Sequence, residues 1–336
     1  PSSLTWLTLT DNLLATLPPE LGALPRLQKL LLAGNRLCEL PETLRGARFL
    51  ELIRLSSNRF ESFPSWLFQQ PALAWAAIAG NPCTTRVSSA RKSHSEISWN
   101  QLVLGNELGR GASGQTFNAT LTNADGTIEQ VALKVFASAV SSDGNATDEI
   151  SAAVEAGRHP HLVAARGSLV GHPEGRRGLV LDLVPSSFKG LAKPPSLESC
   201  TRDVYAEGEM FSCERLLSCA SGIAEAARHL HERGILHGDL YAHNTLVSGN
   251  NALVSDFGAA CIYTGNPALS HGLLERVEVR AFGILLTELL MRVSGEFPCG
   301  ILQGLEVLAD HCTAADVEAR PCFEDICARL KVAAAS

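Results

Sequence analysis

Asparagine returns every 23 residues at the start of this chain: Asn12, Asn35, Asn58 and Asn81. Leu17-Pro18, Leu40-Pro41 and Phe63-Pro64 follow with the same period. Apolar residues stand before each asparagine in LxxLxLxxN order: Leu4, Leu7, Leu9; Leu27, Leu30, Leu32; Leu50, Ile53, Leu55; Leu73, Ala76, Ile78. A unit this short cannot bury its own apolar face, so each must stack on its neighbours. One short strand per unit turns its leucines inward, and the asparagine side chain satisfies backbone groups where the chain leaves the strand.

Period and internal pattern together resemble the leucine-rich repeat family over residues 1–83, which implies an α/β repeat solenoid of four units. Four is few and the first unit is uncapped. With no initiator methionine, the expectation is a piece of a longer protein. Strand alternation puts Trp6, Lys29, Leu52 and Trp75 in one outward row of the concave face, beside Thr8, Leu31, Arg54 and Ala77. Exposed, such a row would suit a protein partner, since aromatic residues anchor interfaces. The other reading is that Trp75 covers the join to whatever follows.

Composition narrows the rest. At 46% apolar and 19% charged residues the chain is globular and not disordered. A net charge of −7 without a basic stripe excludes nucleic acid as the expected partner. Ten cysteines are scattered without metal spacing and read as reduced thiols, the pattern of a cytoplasmic protein. No apolar run is long enough to span a membrane, and no signal peptide opens the chain. Residues 84–98, with their serines and Arg86, Arg91 and Lys92, read as a linker.

Beyond residue 99 the pattern changes. Alternating segments at 99–108, 115–121 and 128–136 predict strands, 147–157 a helix, and 162–170 and 178–184 further strands. After Pro185 the chain turns helical, with apolar spacing at Leu216, Ala220, Ile223, Ala227 and Leu230, and again at 283–291 and 323–330.

Within this stretch four motifs fall in order. They are Gly109-Arg110-Gly111-Ala112-Ser113-Gly114; Val131-Ala132-Leu133-Lys134; His237-Gly238-Asp239-Leu240-Tyr241-Ala242-His243-Asn244; and Asp256-Phe257-Gly258. A glycine pattern alone also fits a dinucleotide-binding turn, but that turn opens a helix, and here Gln115-Thr116-Phe117 continues as strand. Transfer of a terminal phosphate needs a phosphate cradle, a cation, a base and oxygen ligands for magnesium, and these motifs supply that set.

Order and spacing resemble the protein kinases over residues 99–333, which implies an α+β two-lobed fold using ATP and Mg2+. By that resemblance Leu108, Gly109, Gly111 and Gly114 cover the phosphates. Lys134 neutralises them and is held by Glu149. Ala132 and Leu246 sandwich the adenine, and the backbone of Asp182 and Val184 meets its edge beside Leu181. Asp239 takes or orients the substrate hydroxyl, and Asn244 and Asp256 hold the metal.

Several positions depart from the family. Gly238 replaces an arginine that pairs with a regulatory phosphate, Tyr241 a lysine beside the transferred phosphate, and His243 an arginine common in tyrosine kinases. Glu278 replaces the aspartate that anchors the catalytic loop. The segment after Gly258 is short, with Leu274-Glu275 a poor stand-in for its usual closing motif. Three readings follow: a serine/threonine protein kinase whose repeats choose a partner; a kinase-like scaffold without turnover; and a small-molecule phosphotransferase, for which His237-Gly238-Asp239-Leu240 is a familiar form. Soluble repeats joined to this loop are similar to bacterial repeat-kinase proteins.

Overall fold

The computed structural model describes residues 2–84, 95–111, 113–138, 141, 143–263, 269, 272–295 and 300–335. Most of the expected linker, residues 85–94, lies outside the described residues.

Strands β1 (Trp6–Thr8), β2 (Lys29–Leu31), β3 (Leu52–Arg54) and β4 (Trp75–Ala77) form a parallel sheet in chain order. The register aligns Trp6, Lys29, Leu52 and Trp75, so the sequence period becomes the lateral row of the sheet. Returns run through 3-10 turns at Pro19–Ala23 and Glu42–Gly46 and the short helix α1 (Ser65–Phe68). Each starts after an extended proline, Pro18, Pro41 or Pro64, whose ring fixes the dihedral at the turn entry. Asn58 shows how consecutive units are tied. Its amide donates to Leu32 O of the previous unit and Leu55 O of its own, while its oxygen accepts from Leu37 N. Leu30, Leu32, Ile53, Leu55 and Leu73 are fully buried between sheet and returns, each contributing roughly 2 kcal/mol relative to exposure. What stands in the first 83 residues is a four-stranded parallel sheet with helical returns, and the expected repeat solenoid is not shown.

The following half is two-lobed. A six-stranded sheet comprises β5 (Glu96–Ser98), β6 (Leu102–Gly111), β7 (Gly114–Thr122), β8 (Ile128–Phe136), β9 (Ala165–Val170) and β10 (Gly178–Asp182), in the order β5-β9-β10-β8-β7-β6. Helix α2 (Ala146–Ala156) lies between β8 and β9 in the chain and packs on β9 and β10. The second lobe carries β11 (Lys189–Gly190), α3 (Cys213–Glu232), β12 (Ile235–Leu236), β13 (Thr245–Ser248), β14 (Asn251–Val254), β15 (Cys261–Ile262), α4 (Leu273–Leu290), α5 (Ile301–Cys312) and α6 (Phe323–Ala334). Helix α4 begins ten residues before the expected 283–291, and α5 was not expected. Both bury apolar stripes, Ala281, Leu285, Leu289 and Ile301, Leu305, Leu308, against neighbours in the same lobe.

One expectation is corrected here. The concave row is not open to a partner: Lys29 is 8% exposed, Leu52 2% and Trp75 1%, and Trp6 is half-buried. The row packs against the helical lobe of its own chain. Leu31, Leu52 and Trp75 enter the core built on α3 and α4, while Leu236, Cys261, Leu274 and Val277 enter the core of the repeats. The two apolar cores interpenetrate, so the repeats form a third wall of the molecule.

Candidate active site

A cavity of about 590 Å3 lies between the lobes. Leu108, Gly109, Gly111, Gly114, Ala132, Lys134, Glu149, Asp182, Val184, Leu246 and Asp256 all line it. Hairpin β6–β7 forms its roof. Gly114 carries φ +157, and a Cβ there would stand 2.2 Å from Val135 O, so β7 can lie against β8 only with glycine at this position. Lys134 is held on β8 by pairing with Leu179 and Thr116 across both neighbours.

Helix α2 brings the carboxylate expected to meet Lys134. Asn145 caps its first turn by accepting from Asp148 N. One turn inside, Glu149 Oε1 lies 2.5 Å from Lys134 Nζ, and Asp256 Oδ1 lies 3.4 Å from the same ammonium. Burial opposes the charge on Lys134, but Asp256 and Glu149 outweigh it and raise its pKa. Burial pushes Glu149 up to about 7, with Lys134 pulling against it. Asp256 has φ +61 and its side chain is half-exposed toward the cavity, while Phe257 is buried beside His237. Around the hinge, Asp182 spends its carboxylate on Arg166, at 2.6 Å, and Arg158, at 3.2 Å. Its backbone is what remains for the cavity.

The loop at residues 237–244, which the kinase resemblance makes the catalytic loop, is organised differently. Glu278 Oε1 accepts from Gly238 N at 2.7 Å, and Oε2 meets His231 Nε2 at 2.7 Å, so α4 anchors the loop from below. Asn244 donates to Asp239 O and to Asp239 Oδ2, both at 2.9 Å, which leaves its Oδ1 as an acceptor. Ser255 N and Oγ donate to Asn244 O at 2.8 and 2.9 Å, joining this loop to the Asp256 turn. An amide oxygen and a carboxylate on adjoining turns are hard donors of the kind that magnesium takes. Asn244 and Asp239 do not line the cavity itself.

Asp239 lies instead beneath the repeats. Arg54 Nη2 donates to its carboxylate and Arg54 Nη1 to Gly238 O at 3.1 Å. Trp75 stacks on Tyr241, with ring centroids 4.1 Å apart and planes 5° from parallel, and its Nε1 donates to Leu240 O at 3.1 Å. Glu51 takes both nitrogens of the Arg202 fork at 2.7 and 2.9 Å. His243 Nδ1 meets Asp203 Oδ1 at 2.7 Å. Burial works against protonating His243, yet Asp203 and Asp239 raise its pKa. For Asp239 burial favours the neutral acid, but Arg54 and then His243 overcome it and hold the carboxyl below its usual range.

Gly238 and Tyr241 thereby gain a physical account. Gly238 has φ +75, and a Cβ would stand 2.6 Å from Ala259 O and 2.9 Å from Ala76 O of β4. No arginine fits where the fourth repeat unit lies. Arg54, Asp143 and Asp203 were not singled out as site residues from the sequence, and Trp75 was named only in the partner-facing row. The available signal was the conjunction of an arginine and a tryptophan in the concave rows with missing cations in the loop.

A cleft between two lobes with a paired lysine, a glycine hairpin and oxygen donors places the second module in the two-lobed kinase fold class. Residues 102–271 match the model of the protein tyrosine and serine/threonine kinase family. The chain belongs to that family. It is 26% identical over 199 residues to fibroblast growth factor receptor 1 of Pleurodeles waltl, covering 54% of this chain and 24% of the relative. A serine/threonine-protein kinase-like protein of Arabidopsis thaliana is 24% identical over 225 residues, 51% of this chain and 61% of the relative. Protein-tyrosine kinase 6 of Mus musculus is 29% identical over 153 residues, 34% of each. The chain spans about a quarter of the length of the receptor relatives it matches.

Proposed function

We propose that this chain is an ATP-dependent protein kinase acting on serine or threonine hydroxyls, with an amino-terminal module of leucine-rich-repeat type over residues 1–83 and the kinase over 99–333. The observation that carries the reading is the triad of Lys134, Glu149 and Asp256 in one cleft, with separations of 2.5 and 3.4 Å. Adenine would lie between Ala132 and Leu246, and Lys134 would offset phosphate charge under the glycine hairpin. Asn244 and Asp256 would hold magnesium, which when bound neutralises the transferring phosphates. Asp239 would accept the proton of the attacking hydroxyl, its carboxylate kept ionised by Arg54 and oriented by Asn244. Among the described residues no helix is long and apolar enough to cross a membrane, and a cytoplasmic location is part of the proposal. With the concave row engaged internally, a protein partner of the repeats would meet their other faces.

The test is transfer of radiolabelled phosphate from ATP, with phosphoamino-acid analysis of the products. Lys134→Met and Asp256→Ala should each lower transfer at least about a hundredfold. Equal labelling by either variant and the wild type would refute the assignment. A scaffold without turnover is the second reading, favoured by the enclosure of Asp239 beneath Arg54. It is supported if the chain binds ATP and magnesium and never labels itself or any protein.

A further inference from the structure

The catalytic loop carries Gly238, Tyr241 and His243 where the family resemblance places cations. A cation nevertheless stands on Asp239, and it arrives from β3. Arg54 has 5% of its side chain exposed, and its three nitrogens serve three acceptors. Nη2 meets Asp239, Nη1 meets Gly238 O at 3.1 Å, and Nε lies 3.2 Å from Asp143 Oδ1. Asp143 leads into the cap of α2. Ser56 Oγ donates to Asp143 O at 2.7 Å, and the cap residue Asn145 reaches Ser57 Oγ at 3.4 Å. Between them Gly144 is wedged: a Cβ there would stand 2.8 Å from Gly258 O and 3.7 Å from Ser56 Cβ. Residues 54–57 therefore grip both the loop that carries Asp239 and the start of the helix that carries Glu149.

We propose that Arg54 is a positioning residue of the active site, fixing Asp239 in the catalytic loop and, through Asp143, the helix that delivers Glu149 to Lys134. The proposal rests on the kinase reading above. In kinases of this fold the lysine–glutamate pair and the catalytic loop must be in place together, and phosphorylation of the activation segment commonly secures that by pairing with arginine. Here the arginine is the fixed part and two carboxylates are its partners. A guanidinium suits the task because its planar fork reaches two carboxylates and a carbonyl at once, whereas an ammonium is a point charge. The interpenetrating cores make the contact a standing one, since separating the repeats would expose Leu52, Trp75, Leu236 and Val277 to water.

The experiment compares wild type with Arg54→Gln, Arg54→Lys and Ser56→Ala. Arg54→Gln should lower kcat about a hundredfold and leave KM for ATP within about twofold. Arg54→Lys should recover kcat only in part, since an ammonium cannot meet all three acceptors. Amide exchange should rise in residues 146–156 and 237–244 in Arg54→Gln, and less in Ser56→Ala. An unchanged kcat overturns the proposal, and a raised kcat does so by showing a cover that excludes substrate. Should Arg54→Gln fail to fold, Arg54→Lys and Ser56→Ala decide by exchange and kcat. Unchanged exchange in both segments overturns it whatever the activity. Raised exchange in the variants, with no phosphate transfer by them or by the wild type, sinks the kinase reading and leaves the positioning contact established.

Discussion

The nucleotide cleft and the catalytic loop lie side by side, yet they are made in opposite ways. The cleft is assembled from the second module alone: β6, β7, β8, α2, residues 182–184, β13 and the Asp256 turn supply its predicted contacts. The loop is completed by partners more than 160 residues away, Arg54 on Gly238 and Asp239 and Trp75 on Leu240 and Tyr241. Where a site is local, the family pattern is intact. Where a second module packs on it, the pattern has changed to fit that module: Gly238 because β4 lies against it, and Tyr241 because Trp75 stacks on it. Changes at the loop should therefore disturb the whole molecule, and changes in the cleft only the chemistry.

The largest effect is expected from restoring the family residue, Gly238→Arg. It places a side chain at φ +75 against Ala259 O and Ala76 O, and should cost at least about 4 kcal/mol. Thermal unfolding would show it, and the thermal shift on adding ATP would show whether the cleft survives. A stable Gly238→Arg protein would break the comparison. Trp75→Ala comes next, at about 3–4 kcal/mol, because it opens a cavity between the modules and removes a ring stack. Its control is Tyr241→Phe. The Tyr241 hydroxyl is buried with no hydrogen-bond partner among the described residues, so removing it should be neutral or slightly stabilising. A loss as large as that of Trp75→Ala would mean that the hydroxyl and not the stack holds the loop.

The smallest effect concerns pH. The His243 pKa is raised in the fold above its ordinary 6.5, with Asp203 hydrogen-bonded to it against the cost of burial. Its contribution to stability is fully present below pH 6.5 and is lost as pH rises through the raised value. Melting temperature should therefore fall modestly between pH 6 and the alkaline side of that value, and His243→Asn should flatten the trend. A steeper fall in the variant would contradict the pairing.

How legible each part was follows from the same contrast. Lys134, Glu149, Asn244 and Asp256 were named from short motifs because residues near in sequence fix their mutual placement through strand pairing and one helix cap. The concave row was legible as a row, since alternation dictates which side chains point outward. What covers it was not, because an outward side chain looks the same in sequence whether it meets water or another lobe. Helix α5 was not read from the sequence although Ile301, Leu305, Leu308, Ala309 and Cys312 form a buried stripe at helical spacing, and α4 and α6 are what it packs on.

The sequence by itself determined the repeat register, the two-lobed kinase core and the residues that line its cleft, all set by periodicity and by motifs whose parts touch within a few elements. Only the tertiary structure decided that the repeats close on the catalytic loop, placing Arg54 against Asp239 and Asp143 and leaving no room for a side chain at Gly238. Such a contact depends on the complementarity of two surfaces folded from distant segments, and no local pattern encodes it.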